Sequence, residues 1–227
     1  MATTLRASSS NSATSGTAIS VSAPTGTTTG DLVTIFVHVN TDTTIVDNNG
    51  GTSFTEDLND YQPNPTYGHT VSVFSRRILV GDPGTYSFTS GGTGRWSIVA
   101  ATWQNPNAST IYDATLVSSN SGDANADPFT VTGITTATDN SIHVVMGALD
   151  DGVVTVANNP AGYTTIQNTA NQPMGVSYKV ITPAGATGGK DVDFSGASAC
   201  IGVSLAIKDI GSVAITTSIS TMLMMGV

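Results

Sequence analysis

Apolar and polar residues alternate with a period of two along most of this chain, in short runs rich in β-branched residues. Clusters of Gly, Pro, Asn and Asp separate the runs, which is typical of β-strands joined by turns. No segment combines a helical period with helix caps. The pattern predicts an all-β protein with strands over 17–22, 32–39, 53–58, 70–80, 85–89, 95–103, 111–117, 129–134, 141–149, 163–168, 174–181, 191–194 and 200–209.

The order of these strands is used twice. In both halves an apolar strand is followed by a polar one, a longer strand, a Pro-Gly turn, a short strand and a final apolar strand. Asp31 falls opposite Asn140 and Val33 opposite Ile142 without a gap. This order predicts two similar halves of about five strands each.

Two such halves could be separate modules or parts of one sandwich. The runs VTIFVHV and IHVVMGAL are apolar at nearly every position and therefore require cover on both faces. This favours a single jelly-roll-like β-sandwich of ten to twelve strands. The predicted organisation is an N-terminal arm (1–16), a sandwich (17–209, with half-repeats 17–104 and 125–209) and an apolar C-terminal tail (210–227).

Composition and charge limit the classes of partner that this chain is expected to bind. The net charge is −9 with seven Lys and Arg residues, so neither a nucleic acid nor an anionic membrane surface is expected as a partner. The Ser, Thr, Asn and Gly content is typical of proteins that work outside cells, yet the N-terminus has no apolar core of a signal peptide. Release by lysis from a host cytoplasm, as for virus particles, would reconcile the composition with the absence of a signal peptide.

Candidate chemistry is sparse. His38, His69 and His143 match no catalytic motif, and the single Cys200 opens an apolar strand, where it is expected to be buried and inert. Asp150 with Asp151, Asp191 with Asp193, and Asp123 with Asp127 could offer oxygen ligands to Ca²⁺, but none fits a calcium-loop pattern, and solvated turn aspartates are expected instead. Glu56 and Asp57 are adjacent, so strand alternation separates the two carboxylates that a glycosidase would need. No metal, no cofactor and no catalysis are predicted.

Residues 76–103 hold both tryptophans and three of the four arginines. Arg76 and Arg77 are adjacent on a strand and therefore point to opposite faces. The favoured interpretation is a hairpin whose tryptophans are core anchors. The alternative is a sugar-stacking platform formed by Trp96, Tyr86 and Arg95.

The same stretch carries a resemblance. A strand ending in SRR, the segment VGDPGTYSFT and the strand RWSIVAATW, preceded by TGDLVTIFV and followed by TDNSIHVVM, resemble bacteriophage virion-associated β-sandwich proteins. Those are head-decoration, head-fibre or tail-associated proteins. The resemblance implies a virion location, self-association, and contact with other virion proteins such as a major capsid or tail protein.

The tail GSVAITTSISTMLMMGV (211–227) is uncharged, apolar and β-prone. An exposed segment of this kind promotes aggregation, so a surface is expected to cover it, either its own domain or a neighbouring subunit. Ile215, Ile219 and Leu223 share one face whether the tail is a strand or a helix. They are the predicted assembly contacts.

The sequence thus predicts a non-enzymatic virion structural protein that forms homo-oligomers. The alternative is a carbohydrate-binding or host-recognition module with a glycan as partner. A glycan-active enzyme is the weakest hypothesis, because no carboxylate pair is evident.

Overall fold

The computed structural model describes residues 2–51, 53–62, 68–122 and 124–210. Every regular element in these residues is a β-strand, so the all-β prediction is confirmed. The sixteen strands are β1 (Thr4–Ala13), β2 (Ala18–Ser22), β3 (Leu32–Val39), β4 (Ile45–Asp47), β5 (Thr55–Gln62), β6 (His69–Arg77), β7 (Thr85–Ser90), β8 (Trp96–Gln104), β9 (Val117–Asn120), β10 (Phe129–Val131), β11 (Ser141–Leu149), β12 (Val156–Asn158), β13 (Thr164–Thr169), β14 (Met174–Ile181), β15 (Lys190–Phe194) and β16 (Cys200–Ile207).

The two halves have the same topology. In the first half, β1-β8-β3-β6-β5 form a five-stranded sheet and β2-β7-β4 a three-stranded one. In the second, β9-β16-β11-β14-β13 and β10-β15-β12 repeat both orders, strand for strand. Among the described residues each half therefore has eight strands rather than about five, which makes sixteen rather than ten to twelve. The jelly-roll connectivity stays a prediction.

The sheets stack in four layers, with the five-stranded sheets back to back in the middle. Along β3, Leu32 and Phe36 face a central core that both five-stranded sheets share. The alternate residues Val33, Ile35 and Val37 face a second core beneath the three-stranded sheet of the first half. A third core lies between the corresponding sheets of the second half. Burial on both faces explains why β3 and β11 are apolar at nearly every position.

One glycine shows how closely the three-stranded sheet of the second half approaches the five-stranded sheet. A Cβ atom built on Gly202, in β16, would lie 2.5 Å from Cγ2 of Val131 in β10. Real Cβ atoms do not come that close to a neighbouring carbon. Glycine at this position therefore allows the small sheet of the second half to lie against the large one.

The predicted elements differ from the structure in several places. The N-terminal segment 1–16 is not a separate arm, because residues 4–13 form β1 and pair along the whole of β8. Its Ser and Thr side chains suit an edge strand that has few core contacts. Residues 111–116 are not a strand, and only a single bridge joins Tyr112 to Ile207. The short strands β4 and β12 were not predicted, because three residues are too few to show an alternation of apolar and polar positions.

The two ends of the described chain meet. The backbone N–H and the hydroxyl of Thr3 both donate to Oδ1 of Asp209, at 2.7 and 3.0 Å. Both residues are buried. The chain continues past this closed junction into the tail, and the predicted contacts Ile215, Ile219 and Leu223 lie outside the described residues.

Candidate assembly site and buried polar network

One end of the first half exposes large apolar side chains. The loop after β6 places Leu79 and Val80 in solvent, with 59% and 89% of their surfaces exposed. This loop and the loop after β2 border a cleft of about 350 Å³. Its polar lining includes Thr27, Thr29 and Asp82. Its apolar lining consists of Ala23, Pro24, Ile78, Leu79, Val80, Pro83 and the fully buried Tyr86. We call this region the loop-end cleft.

A buried ion pair holds the loop in place. The Arg76 guanidinium lies 3.0 Å from Oδ1 of Asp82, and both side chains are 8% exposed. It also lies over the ring of Phe54, 4.3 Å from its centroid. Oδ2 of Asp82 accepts a hydrogen bond from the Leu79 backbone at 3.3 Å. The ion pair and this hydrogen bond therefore hold the exposed part of the loop, Leu79 and Val80, in place.

Arg76 and Arg77 point to opposite faces, as predicted. The half-exposed Arg77 links the loop end to the C-terminal end of the sandwich. It donates to the Gly30 carbonyl at 3.3 Å and, through Nη2, to the Asn107 carbonyl. The Asn107 amide donates in turn to the Asp209 carbonyl at 3.3 Å. The tail thus leaves the sandwich at the end that carries the loop-end cleft.

The alternative of a sugar-stacking platform is wrong. Trp96 and Tyr86 are fully buried in the core of the first half, so neither ring is open to a sugar. Nε1 of Trp96 donates to the Gly16 carbonyl at 2.9 Å. Arg95 is only partly exposed and turns toward the second half, where its Nη2 lies 3.7 Å from Asp150. The prediction that a tryptophan is a core anchor is confirmed for both Trp96 and Trp103.

A polar network joins the two halves at the end opposite the loop-end cleft. Gln172 of the second half donates from Nε2 to the Leu149 carbonyl at 3.3 Å and to Asp150 at 3.2 Å. Its Oε1 accepts from Nε of Arg95 at 3.2 Å. Gln172 is completely buried, and these three hydrogen bonds satisfy both ends of its amide.

Two histidines of the first half lie beside this network, with Nε2 of His38 3.3 Å from Nε2 of Gln172. Nε2 of His38 lies 3.1 Å from Nδ1 of His69, and Nε2 of His69 lies 3.2 Å from Oε1 of Gln62. Because Oε1 only accepts, Nε2 of His69 carries the proton and Nδ1 accepts from His38. Gln62 then donates to the Gly122 carbonyl of the second half. The chain of donors runs from one half into the other only if Nδ1 of His69 carries no proton, so the His69 imidazole must be neutral.

Burial keeps these imidazoles neutral. It lowers the pKa of His69 from 6.5 to about 4. The pKa of His38 is lowered well below its ordinary value, first by burial and then by the nearby His69 and Arg95. Nδ1 of His38 is buried without a hydrogen-bond partner among the described residues, so a proton added there would also lack an acceptor.

His143 lies in a separate environment on β11. Its Nδ1 lies 2.6 Å from the Tyr163 hydroxyl and its Nε2 3.2 Å from the Ser204 hydroxyl. Burial and the positive charge of Lys190 lower its pKa to about 4. His143 and His69 are thus buried histidines with satisfied hydrogen bonds, and nothing in the sequence indicated that His69 would lie beside His38.

The predicted carboxylate candidates lie apart. Glu56 is exposed, while Asp57 accepts a hydrogen bond from the Tyr112 hydroxyl at 2.7 Å. Burial raises the pKa of Asp57 despite this bond. Asp150 is not a solvated turn residue, because it is 7% exposed and belongs to the polar network. Burial raises its pKa above the ordinary range, against the effects of Gln172 and Arg95.

The other predicted ligands also stay separate. Among the residues that the structure describes, no three His, Cys, Asp or Glu side chains group to hold a metal ion. Asp191 accepts a hydrogen bond from the Thr130 hydroxyl, and Asp193 accepts one from the Asn158 amide. Asp127 accepts from the Phe194 backbone, and Asp123 lies outside the described residues. The Cys200 thiol is fully buried, and burial with the nearby Asp127 raises its pKa to about 12.

Comparisons with known proteins give no relative. No protein-family model matches the chain, and neither a curated protein nor a solved structure is significantly similar to it. Within the described ranges, no helix has the length and apolar character needed to cross a bilayer. Any functional conclusion must therefore come from the chain's own geometry.

Proposed function

We propose that this chain is a non-enzymatic structural protein of a phage virion, which decorates or cements a capsid or tail through contacts between copies. The observation that carries this proposal is an uncharged apolar tail following a sandwich whose cores are already closed. Residues between Leu5 and Ile207 fill the central core, and Asp209 ties the last described turn to Thr3. The apolar side chains of the tail therefore need a different surface.

The chemistry of the described residues supports a structural role. The three histidines and Cys200 are buried and have pKa values far from those of neutral-pH nucleophiles or bases. Their hydrogen bonds hold strands and halves together.

A carbohydrate-binding or host-recognition module remains the second candidate, on a different surface from the predicted one. A polar cleft of about 580 Å³ on the second half is lined by Asn158, Asn159, Lys190, Asp191 and Asp193. Amide and carboxylate groups of this kind bind sugar hydroxyls. A glycan array probed with the purified chain tests this candidate, and binding that survives loss of self-association would favour it.

The assembly proposal predicts that charges on one face of the tail abolish association. Burying Ile215, Ile219 and Leu223 would contribute about 1.5–3 kcal/mol each. We expect the triple variant Ile215→Asp, Ile219→Asp, Leu223→Asp to sediment as a 23.1 kDa monomer. The unaltered chain should sediment as an oligomer.

The matched control places the same three charges on the alternate positions. Thr216→Asp, Ser218→Asp, Ser220→Asp should keep the oligomer, because these polar residues do not share the face of the isoleucines in a strand. Equal melting temperatures would show that all the sandwiches are folded. A monomeric unaltered chain would contradict the assembly proposal.

A further inference from the structure

The loop-end cleft exposes apolar surface that the fold itself does not require. The corresponding turn of the second half, residues 182–189, has the sequence TPAGATGG and contains no large apolar residue. That half nevertheless forms the same eight-stranded arrangement. Leu79 and Val80 are thus an addition specific to the first half, and large exposed apolar groups at one place typically mark a contact surface.

The cleft is formed before any partner arrives. The Arg76–Asp82 ion pair and the bond from the Leu79 backbone to Asp82 fix the tip. On the other side, the Gly30 backbone donates to the Ile78 carbonyl at 2.9 Å. A partner therefore meets an ordered apolar surface and does not have to order the loop, which lowers the cost of binding.

The C-terminal tail is a suitable partner for the loop-end cleft, both in its chemistry and in the place where it begins. It is uncharged and apolar, and its apolar side chains suit the exposed Leu79 and Val80 at the cleft, while the one charged lining residue, Asp82, is already paired with Arg76. It starts after Ile210, beside Asn107, which contacts Arg77 at the base of the same loop end. Seventeen residues reach about 55 Å when extended. The tail is therefore long enough to reach the cleft of a neighbouring copy.

We propose that the loop-end cleft binds the tail 211–227 of a second copy of this chain. Because tail exit and cleft lie at the same end, two copies meeting end to end about a two-fold axis would place each tail beside the other's cleft. Such an isologous contact is closed and reciprocal. This inference rests on the proposed assembly function and names the surface that receives the tail.

Disulfide trapping between two differently tagged chains tests this directly. One chain carries Val80→Cys, the other carries Ile219→Cys, and the two are co-expressed and oxidised. We expect a cross-linked heterodimer on a non-reducing gel. The native Cys200 is buried and does not compete. The matched control replaces Val80→Cys with Val153→Cys, which is 88% exposed but lies in the turn after Asp150, at the opposite end. It should give no heterodimer.

A second variant measures the contact without a cross-link. Val80→Asp should weaken self-association by about tenfold or more, whereas Val153→Asp, with the same charge and similar exposure, should not. The absence of a heterodimer between the Val80→Cys and Ile219→Cys chains would overturn the inference. If the cross-link fails while the tail variants still dissociate the oligomer, the cleft is wrong and the assembly function stands.

Discussion

Lowering the pH from 7 to 4 is expected to reduce the free energy of unfolding by about 3 kcal/mol for each of His69 and His143. Both have folded-state pKa values of about 4, against an ordinary value of 6.5. His38, whose pKa is also lowered, adds to the loss. Urea melts across this pH range measure the effect.

The sign follows from proton uptake. Below pH 6.5 the unfolded chain protonates its histidines, while the folded chain keeps them neutral down to about pH 4. The unfolded state therefore holds more protons in this window, so stability falls with decreasing pH. Asp57 and Asp150, whose pKa values are raised, act in the opposite direction: the folded chain takes up their protons before the unfolded chain does, which flattens the lower end of the curve.

The variant His143→Gln isolates one contribution. Glutamine keeps a polar group near Tyr163 and Ser204 but does not titrate. The pH dependence of its stability should be shallower by up to about 1.4 kcal/mol per pH unit between pH 4.5 and 6. Identical slopes for the variant and the unaltered chain would show that His143 is not held neutral in the fold.

Truncation of Trp103 is expected to reduce the free energy of unfolding by about 3–5 kcal/mol. Its ring is fully buried in the central core and contacts Tyr178 of the other half edge-to-face, with centroids 5.7 Å apart. Its Nε1 donates to the Thr34 hydroxyl at 2.9 Å. Trp103→Ala therefore removes packing between the halves and leaves a buried hydroxyl without its donor.

Two variants set the scale for this measurement. Trp103→Phe keeps an aromatic ring and should cost less, since it removes mainly the bond to Thr34 and part of the packing. Tyr61→Ala removes an aromatic side chain that is 51% exposed and should cost within about 0.5 kcal/mol. A loss below about 1 kcal/mol for Trp103→Ala in denaturant melts would contradict its place in the central core.

The sequence predicts the repeated order of strands well because alternation and turn residues act locally. It also indicates that β3 and β11 are covered on both faces. The four-layer stack was not predicted, since the identity of the covering sheet depends on contacts between residues far apart in the chain. Strand β1 was missed because its residues, TLRASSSNSA, are mostly small and polar. Its pairing with β8 is set by backbone hydrogen bonds.

The polar network was missed for a similar reason. His38 and His69 are 31 positions apart and Gln172 lies in the other half, so no local spacing connects them. One signal was present in the sequence: a histidine at an inward position of an apolar strand requires a buried polar partner. The loop-end cleft was missed as well, because the predicted strand 70–80 includes Leu79 and Val80, whereas β6 ends at Arg77 and leaves both residues in the loop before the turn GDPG.

The most direct test of the proposed function is to look for the chain in assembled particles. Virus particles purified from lysates of cells that produce this protein would be analysed by quantitative mass spectrometry and immunogold labelling. A virion structural protein should be present in many copies per particle, and the tail variant Ile215→Asp, Ile219→Asp, Leu223→Asp should be lost from the particles while remaining folded in the lysate. Particles without the chain, together with a monomeric protein in the soluble fraction, would contradict the proposal.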